Sequence, residues 1–293
     1  MDLYRTKVVI DRLGFPEDPR WHAGSLWFSD MDDKAVMKVL PTGSLDKVTT
    51  VEGTPSGLGW AADGTLLVVS MSEQKLLEIH PARTSVRADL SRLASFHCND
   101  MVIDDESRAY IGTFGFDFDG LAPFHPGQVL LVPPAGPPRI AADGLSFPNG
   151  LAMTPDKKTL VVAETLGERL TAFDILPDGN LVNQRTWAEL PGTAPDGICL
   201  DDEGALWVAS PISGAVFRVR EGGEVLAKVQ VASQPYACRL GGVDRLTLFV
   251  TTSYPLASLF RLKSLPTPSH HDVGGRLGRI ESVTVEVPGA GYP

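Results

Sequence analysis

The chain is poor in cysteine and in positive charge, and it has no long apolar run. Cys98, Cys199 and Cys238 are the only three cysteines in 293 residues, an odd number without CxxC spacing. That excludes a disulfide scaffold or a thiolate zinc site and leaves buried free thiols as the expectation. Lys and Arg number 26 against 36 Asp and Glu, a formal net charge of −10, which is the wrong sign for a nucleic acid backbone or an anionic lipid surface. No stretch approaches the roughly 20 apolar residues that span a bilayer. The opening MDLYRTKVVIDRL carries neither the apolar segment nor the cleavage site of a signal peptide, so a cytoplasmic protein with no nucleic acid or membrane partner is expected. A GxSxG elbow, a GxGxxG loop and a P-loop are also missing, which argues against covalent acyl transfer and nucleotide chemistry. With 43% hydrophobic and 21% charged residues, the chain is neither disordered nor fibrous.

What is present is a repeat. Six segments share a turn-like approach, an apolar strand, a polar turn and a second apolar strand: FPEDPRWHAGSLWFSD from Phe15, TPSGLGWAADGTLLVVS from Thr54, HCNDMVIDDESRAYIGT from His97, FPNGLAMTPDKKTLVVAE from Phe147, APDGICLDDEGALWVAS from Ala194 and the weaker QPYACRLGGVDRLTLFVTT from Gln234. They recur at intervals of 39 to 50 residues, and each runs on into a third strand such as AVMKVLP or KLLEIHP, with room for a fourth. Several short strands per 40 to 50 residues, without helical periodicity, are the signature of a propeller blade. The fold expected is all-β, a single domain over residues 1–293: a six-bladed β-propeller of mostly four-stranded antiparallel blades around a central channel. KVVI at Lys7–Ile10 and IESVTVEV from Ile280 are placed to complete the last blade and close the ring. The stretch from Lys263, with His270 and His271, reads as a surface loop with solvated histidines.

In a propeller the first strand of each blade lines the channel, so equivalent positions converge. That register reads Glu17, Ser56, Asn99, Asn149, Asp196 and Tyr236, each bearing oxygen. Two carboxylates and two amides facing one another make a hard-oxygen cage for a divalent cation, the alternative being a polar ring that hydrogen-bonds to itself and to water. A proline precedes five of the six ring residues and presets their direction. The second strands end at Asp30, Ser70, Thr113, Glu164, Ser210 and Thr252, a second polar ring expected to support the first, line the pocket or stand solvated. The third blade inserts GTFGFDFDGLAPFHPG, whose Phe114, Phe116, Phe118 and Phe124 either pack on the neighbouring blade or wall and cover the polar ring, with Asp117 as a polar substrate contact.

Read together, PEDPRW with Glu17, CND with Asn99, FPNGLAMTPDKKTLVVAET with Asn149 and PDGICLDDEGALWVAS with Asp196 resemble the regucalcin, gluconolactonase and luciferin-regenerating-enzyme family, from about Leu13 to about Val287. The resemblance implies one divalent metal ion held by Glu17, Asn149 and Asp196, with Asn99 beside it touching substrate and Asp196 also serving as general base. His97 stands where sugar-lactonase members carry an arginine, and Asp117 falls where they place an acidic substrate contact. The reading that follows is a metal-dependent hydrolase that opens a lactone with metal-activated water. Its small-molecule substrate would be less polar than a simple sugar lactone and would contact Asn99, His97, Asp117, Phe114 and Phe116. Calcium is the first choice of ion, with zinc, manganese or iron also admitted by the chemistry. The alternatives are a phosphotriesterase-like or lyase propeller and a non-catalytic metal- or ligand-binding one. Monomer and dimer are equally compatible with the sequence.

Overall fold

The computed structural model describes residues 2–265 and 276–290; His270 and His271 lie outside the described residues. Six antiparallel sheets, each with four strands ordered from the axis outward, form a ring. The first blade runs Pro16–His22, Ser25–Asp30, Ala35–Val39 and Leu45–Thr50, and the pattern repeats from Pro55, Cys98, Pro148, Ile198 and Gln234. Innermost strands pack in chain order, and Gln234–Gly241 of the last blade returns against Pro16–His22 of the first. The apolar core is divided accordingly. Leu26, Phe28 and Ile280 fill the seam between the sixth and first blades, Leu58 and Val68 the next seam, and similar clusters follow around the ring.

Closure follows the expected route: Lys7–Leu13 pairs antiparallel with Gly278–Thr284, completing the sixth blade. A further strand, Asp2–Arg5, adds in parallel to Val225–Gln230 as a fifth strand of the fifth blade. DLYR carries no alternation strong enough to announce it. Cys98, Cys199 and Cys238 are buried and free, as expected. Among the described residues, no helix is long and apolar enough to cross a membrane.

The turn between the first two strands of each blade needs a residue at positive φ. Gly64 and Gly204 supply it without steric cost at 84° and 77°. In the third and fourth blades Ser107 and Lys157 take the same position at 62° and 60°. There the Asp104 and Asp156 carboxylates accept backbone N–H groups across the turn and hold it in shape.

Candidate functional site

Five of the innermost strands slip register beside the ring residue: between Glu17 and Arg20, Pro55 and Leu58, Cys98 and Met101, Pro148 and Leu151, and Pro235 and Ala237. A bulge interrupts the alternation of a strand and re-aims its side chains; in the fifth blade Asp196 instead precedes the strand Ile198–Leu200, and all six ring residues are buried. Gly150 brings the fourth and fifth blades together, since a Cβ there would lie 2.5 Å from the Asp196 carbonyl oxygen.

Glu17, Asn99, Asn149, Asp196 and Tyr236 share the floor of one cavity. Its walls are Phe15, Met31, Met71, Phe114, Phe118 and Phe147, and Leu256 and Leu259 flank the mouth, with His97, Asp119, Thr54 and Thr165 as polar exceptions. Ser56, the remaining ring residue, stays below the cavity and donates to Asn99 Oδ1 at 3.4 Å and Asp100 Oδ1 at 3.3 Å. The Tyr236 hydroxyl is taken up by the frame, donating to the Tyr254 carbonyl at 2.7 Å and accepting from Leu256 N at 3.0 Å. It thereby tethers the short helix Ala257–Leu262, which carries Leu259.

Burial, and then the charges of Asp196 and Asp100, hold the Glu17 carboxyl well above the usual carboxylate range. Burial and Asp100 do the same to Asp196, against a hydrogen bond from Asn149. Just below, Asp18 pairs with Arg20 at 2.5 Å and accepts from Leu58 N at 2.5 Å. Burial outweighs the nearby Arg20 and pushes Asp18 up to about 7. Arg239, also buried, donates to the Pro19 carbonyl at 3.3 Å. Ionised, the four buried carboxylates Glu17, Asp18, Asp100 and Asp196 exceed the two guanidiniums by two negative charges. Among the described residues, no three His, Cys, Asp or Glu side chains gather as a cage. Two carboxylates with an amide oxygen as third donor are nonetheless the hard-oxygen chemistry a divalent cation takes, and the charge surplus matches one such ion.

The sequence-predicted residues do not all reach this cavity. His97 lines it, stacked on Phe96 at 4.1 Å; burial lowers its pKa, with Asp119 and Asp117 pulling the other way. Phe114 lines it and packs on Phe147 at 4.4 Å. Phe116 is buried one layer behind, 6.4 Å from Phe118 and 5.6 Å from Phe124, and does not line the cavity. Asp117 is exposed outside it and accepts from Gly120 N at 2.8 Å, closing a loop turn. The acid at the cavity is Asp119, which accepts from Ser258 Oγ at 3.2 Å. The expectation for Phe116 and Asp117 as cavity-lining contacts is therefore corrected, because the inserted loop turns at Asp117 and presents Phe118 and Asp119 to the cavity. Both expectations for the phenylalanines hold in part: Phe114 and Phe118 wall the cavity and pack on Phe147 of the fourth blade.

The second ring takes neither exposed nor cavity positions. All six of its members are fully buried and bonded within the frame. Asp30 accepts from Gly14 N and Phe15 N at 2.9 and 3.1 Å. Glu164 accepts from Ser146 N and Arg169, and Ala194 N donates to Ser210 Oγ at 3.2 Å. These side chains pin the segments that lead into the channel strands. Sequence reasoning missed Thr165, Phe147 and Asp18; the signal for the first two is their position, Thr165 directly after Glu164 and Phe147 two residues before Asn149.

A six-bladed propeller with an oxygen-rich floor under an apolar cavity has the concave, mostly apolar pocket with a few convergent polar groups that suits a small molecule. The profile of the SMP-30/Gluconolactonase/LRE-like region matches residues 15–254, and the chain belongs to that family. It is similar to a 6-deoxy-6-sulfogluconolactonase of Pseudomonas putida, 27% identical over 245 residues, which are 80% of this chain and 78% of the relative. A regucalcin of Xenopus laevis is 26% identical over 256 residues, covering 84% of this chain and 85% of the relative. Among solved structures, a calcium-binding regucalcin of Agrobacterium tumefaciens superimposes with a TM-score of 0.81 at 21% identity, over 100% of this chain and 98% of that one.

Proposed function

We propose that the protein is a lactonase: a hydrolase that opens a cyclic ester with one divalent metal ion, calcium before zinc, manganese or iron, on a substrate less polar than a simple sugar lactone. The observation that carries this reading is the convergence of Glu17, Asn149, Asp196 and Asn99 on the floor of a single cavity walled by Phe15, Met31, Met71, Phe114, Phe118 and Phe147. Family membership and the sulfogluconolactonase relative support lactone chemistry; the apolar walls support the preference for a less polar substrate.

Glu17, Asn149 and Asp196 would hold the ion. Lewis-acid polarisation of the lactone carbonyl is what such an ion supplies when bound. Asp196 takes a proton from water as the water oxygen bonds to the carbonyl carbon. The acyl C–O bond then breaks, and the proton passes to the departing alkoxide to leave a hydroxy acid. Asn99 orients the substrate from beside the floor, held by Ser56 and by its own 3.5 Å contact to the Pro148 carbonyl. His97, whose pKa burial lowers, contacts the substrate from the wall.

The test is pH-stat hydrolysis of a sugar lactone, an aliphatic lactone and an aromatic lactone, before and after chelation and with single divalent ions restored. The expected result is hydrolysis lost on chelation, restored by calcium and faster on the aliphatic or aromatic ring. A folded, metal-loaded protein that opens none of the three would overturn the reading.

A further inference from the structure

In the first four blades the residue directly after the second strand lines the cavity above the oxygen floor. In the first three blades it is apolar and lines the cavity: Met31, Met71 and Phe114. The fourth blade breaks that series with Thr165, which is 2% exposed and also lines the cavity. Its hydroxyl proton is committed. The hydroxyl donates to the Pro195 carbonyl at 2.8 Å, and so it must accept the Asn149 Nδ2 group at 3.1 Å. The same amide also acts on the nearby Asp196 carboxylate in the sense an N–H donor does, favouring its ionised form. The amide's donor side is therefore committed, and its Oδ1 is the atom left to face the floor. Turning the amide over would set two oxygens against each other at Thr165 and point N–H groups at the place of a cation.

The same hydroxyl ties the fourth blade to Pro195, the residue before Asp196. We propose that Thr165 is a positioning residue that fixes which face of Asn149 looks into the cavity and couples that amide to Asp196. The proposal rests on the reading of Glu17, Asn149 and Asp196 as cation ligands. Hydrogen bonds behind metal ligands of this kind commonly govern affinity.

Calcium affinity, measured by titration calorimetry on the whole protein, tests it. Thr165→Val keeps the shape and removes the hydroxyl, and it is expected to weaken calcium binding by about 10- to 100-fold. Thr165→Ser is expected to bind within about 2-fold of wild type, since the hydroxyl persists. In an Asn149→Asp background both side-chain oxygens can ligate and the orientation of the group no longer matters, so most of the Thr165→Val loss should vanish. A merely structural role predicts the same loss in both backgrounds. If Thr165→Val does not fold, Thr165→Ala carries the same expectation. Wild type that binds no divalent ion overturns the metal reading and this proposal together. Wild type that binds, with Asn149→Ala losing the ion and Thr165→Val retaining it, overturns the role of Thr165 alone.

Discussion

Replacing Asp196 by Asn should make the metal-free protein more stable and at the same time deaf to calcium. Four buried carboxylates face two guanidiniums in the channel, and the substitution removes one unbalanced charge. The Asn side chain keeps an oxygen for the donors now served by Asp196, Gly197 N and Asn149. Burial and Asp100 penalise the ionised Asp196, at about 1.4 kcal/mol for each pKa unit of such a penalty, which sets the relief from Asn on the order of 1–3 kcal/mol. Relief of that size in a domain this large raises the melting temperature by roughly 2–6 °C. Calcium at 100 times its Kd stabilises the wild type by about 2.7 kcal/mol, which is roughly 5 °C on the same scale. Differential scanning fluorimetry at pH 7, first with a chelator and then with excess calcium, reads both effects. A variant that melts below the metal-free wild type, or gains as much from calcium, would refute the charge argument.

Three other outcomes follow from the same geometry. Asp18 is pushed up to about 7, so the native state keeps a proton that the unfolded chain has released. Metal-free stability should therefore fall as pH rises from about 4 to about 7, and urea midpoints across that window would expose a flat or opposite trend. Glu164→Gln weakens the Arg169 pair and the bonds to Ser146 and Thr171; it should cost about 2 kcal/mol while leaving calcium affinity within about 2-fold, as chemical denaturation and calorimetry would record. Phe118→Ala opens the cavity wall and should lower kcat/KM for an aromatic lactone roughly tenfold more than for a small aliphatic one; equal losses on both would remove Phe118 from substrate recognition.

The blades were legible because each repeats a polar turn between two apolar strands, and the ring register followed because symmetry carries Glu17, Asn149 and Asp196 to one mouth. Legibility ended where the repeat did. The inserted loop in the third blade obeys no period, so a position two residues along decided whether Asp117 or Asp119 met the cavity. The helix Ala257–Leu262 is too short to show an amphipathic stripe, and its tether, the Tyr236 hydroxyl, looked like one more member of the ring. Asp18 and Asp100 were hidden by the bulges: simple alternation sends the neighbour of a channel residue away from the axis, but Asp18 instead meets Arg20 and Leu58 N at the channel wall. The second ring stayed open between three readings for the opposite reason. Its polar strand ends resemble solvated ones in sequence, whereas Asp30 and Glu164 are sealed beneath the segments they hold.

The closing strands also set a timetable. Lys7–Leu13 finds its partner only at Gly278–Thr284, and Asp2–Arg5 only at Val225–Gln230. At about 5–20 residues per second of synthesis, the first strands wait roughly 15–50 s for the last ones to emerge. During that interval their apolar edges, with Leu3 and Val8 on them, are unpaired and open to other chains. The first blades can form as they are made, but the floor that joins Glu17 of the first blade to Asp196 of the fifth takes shape only when the ring shuts, so a nascent chain has no oxygen floor until it is nearly complete.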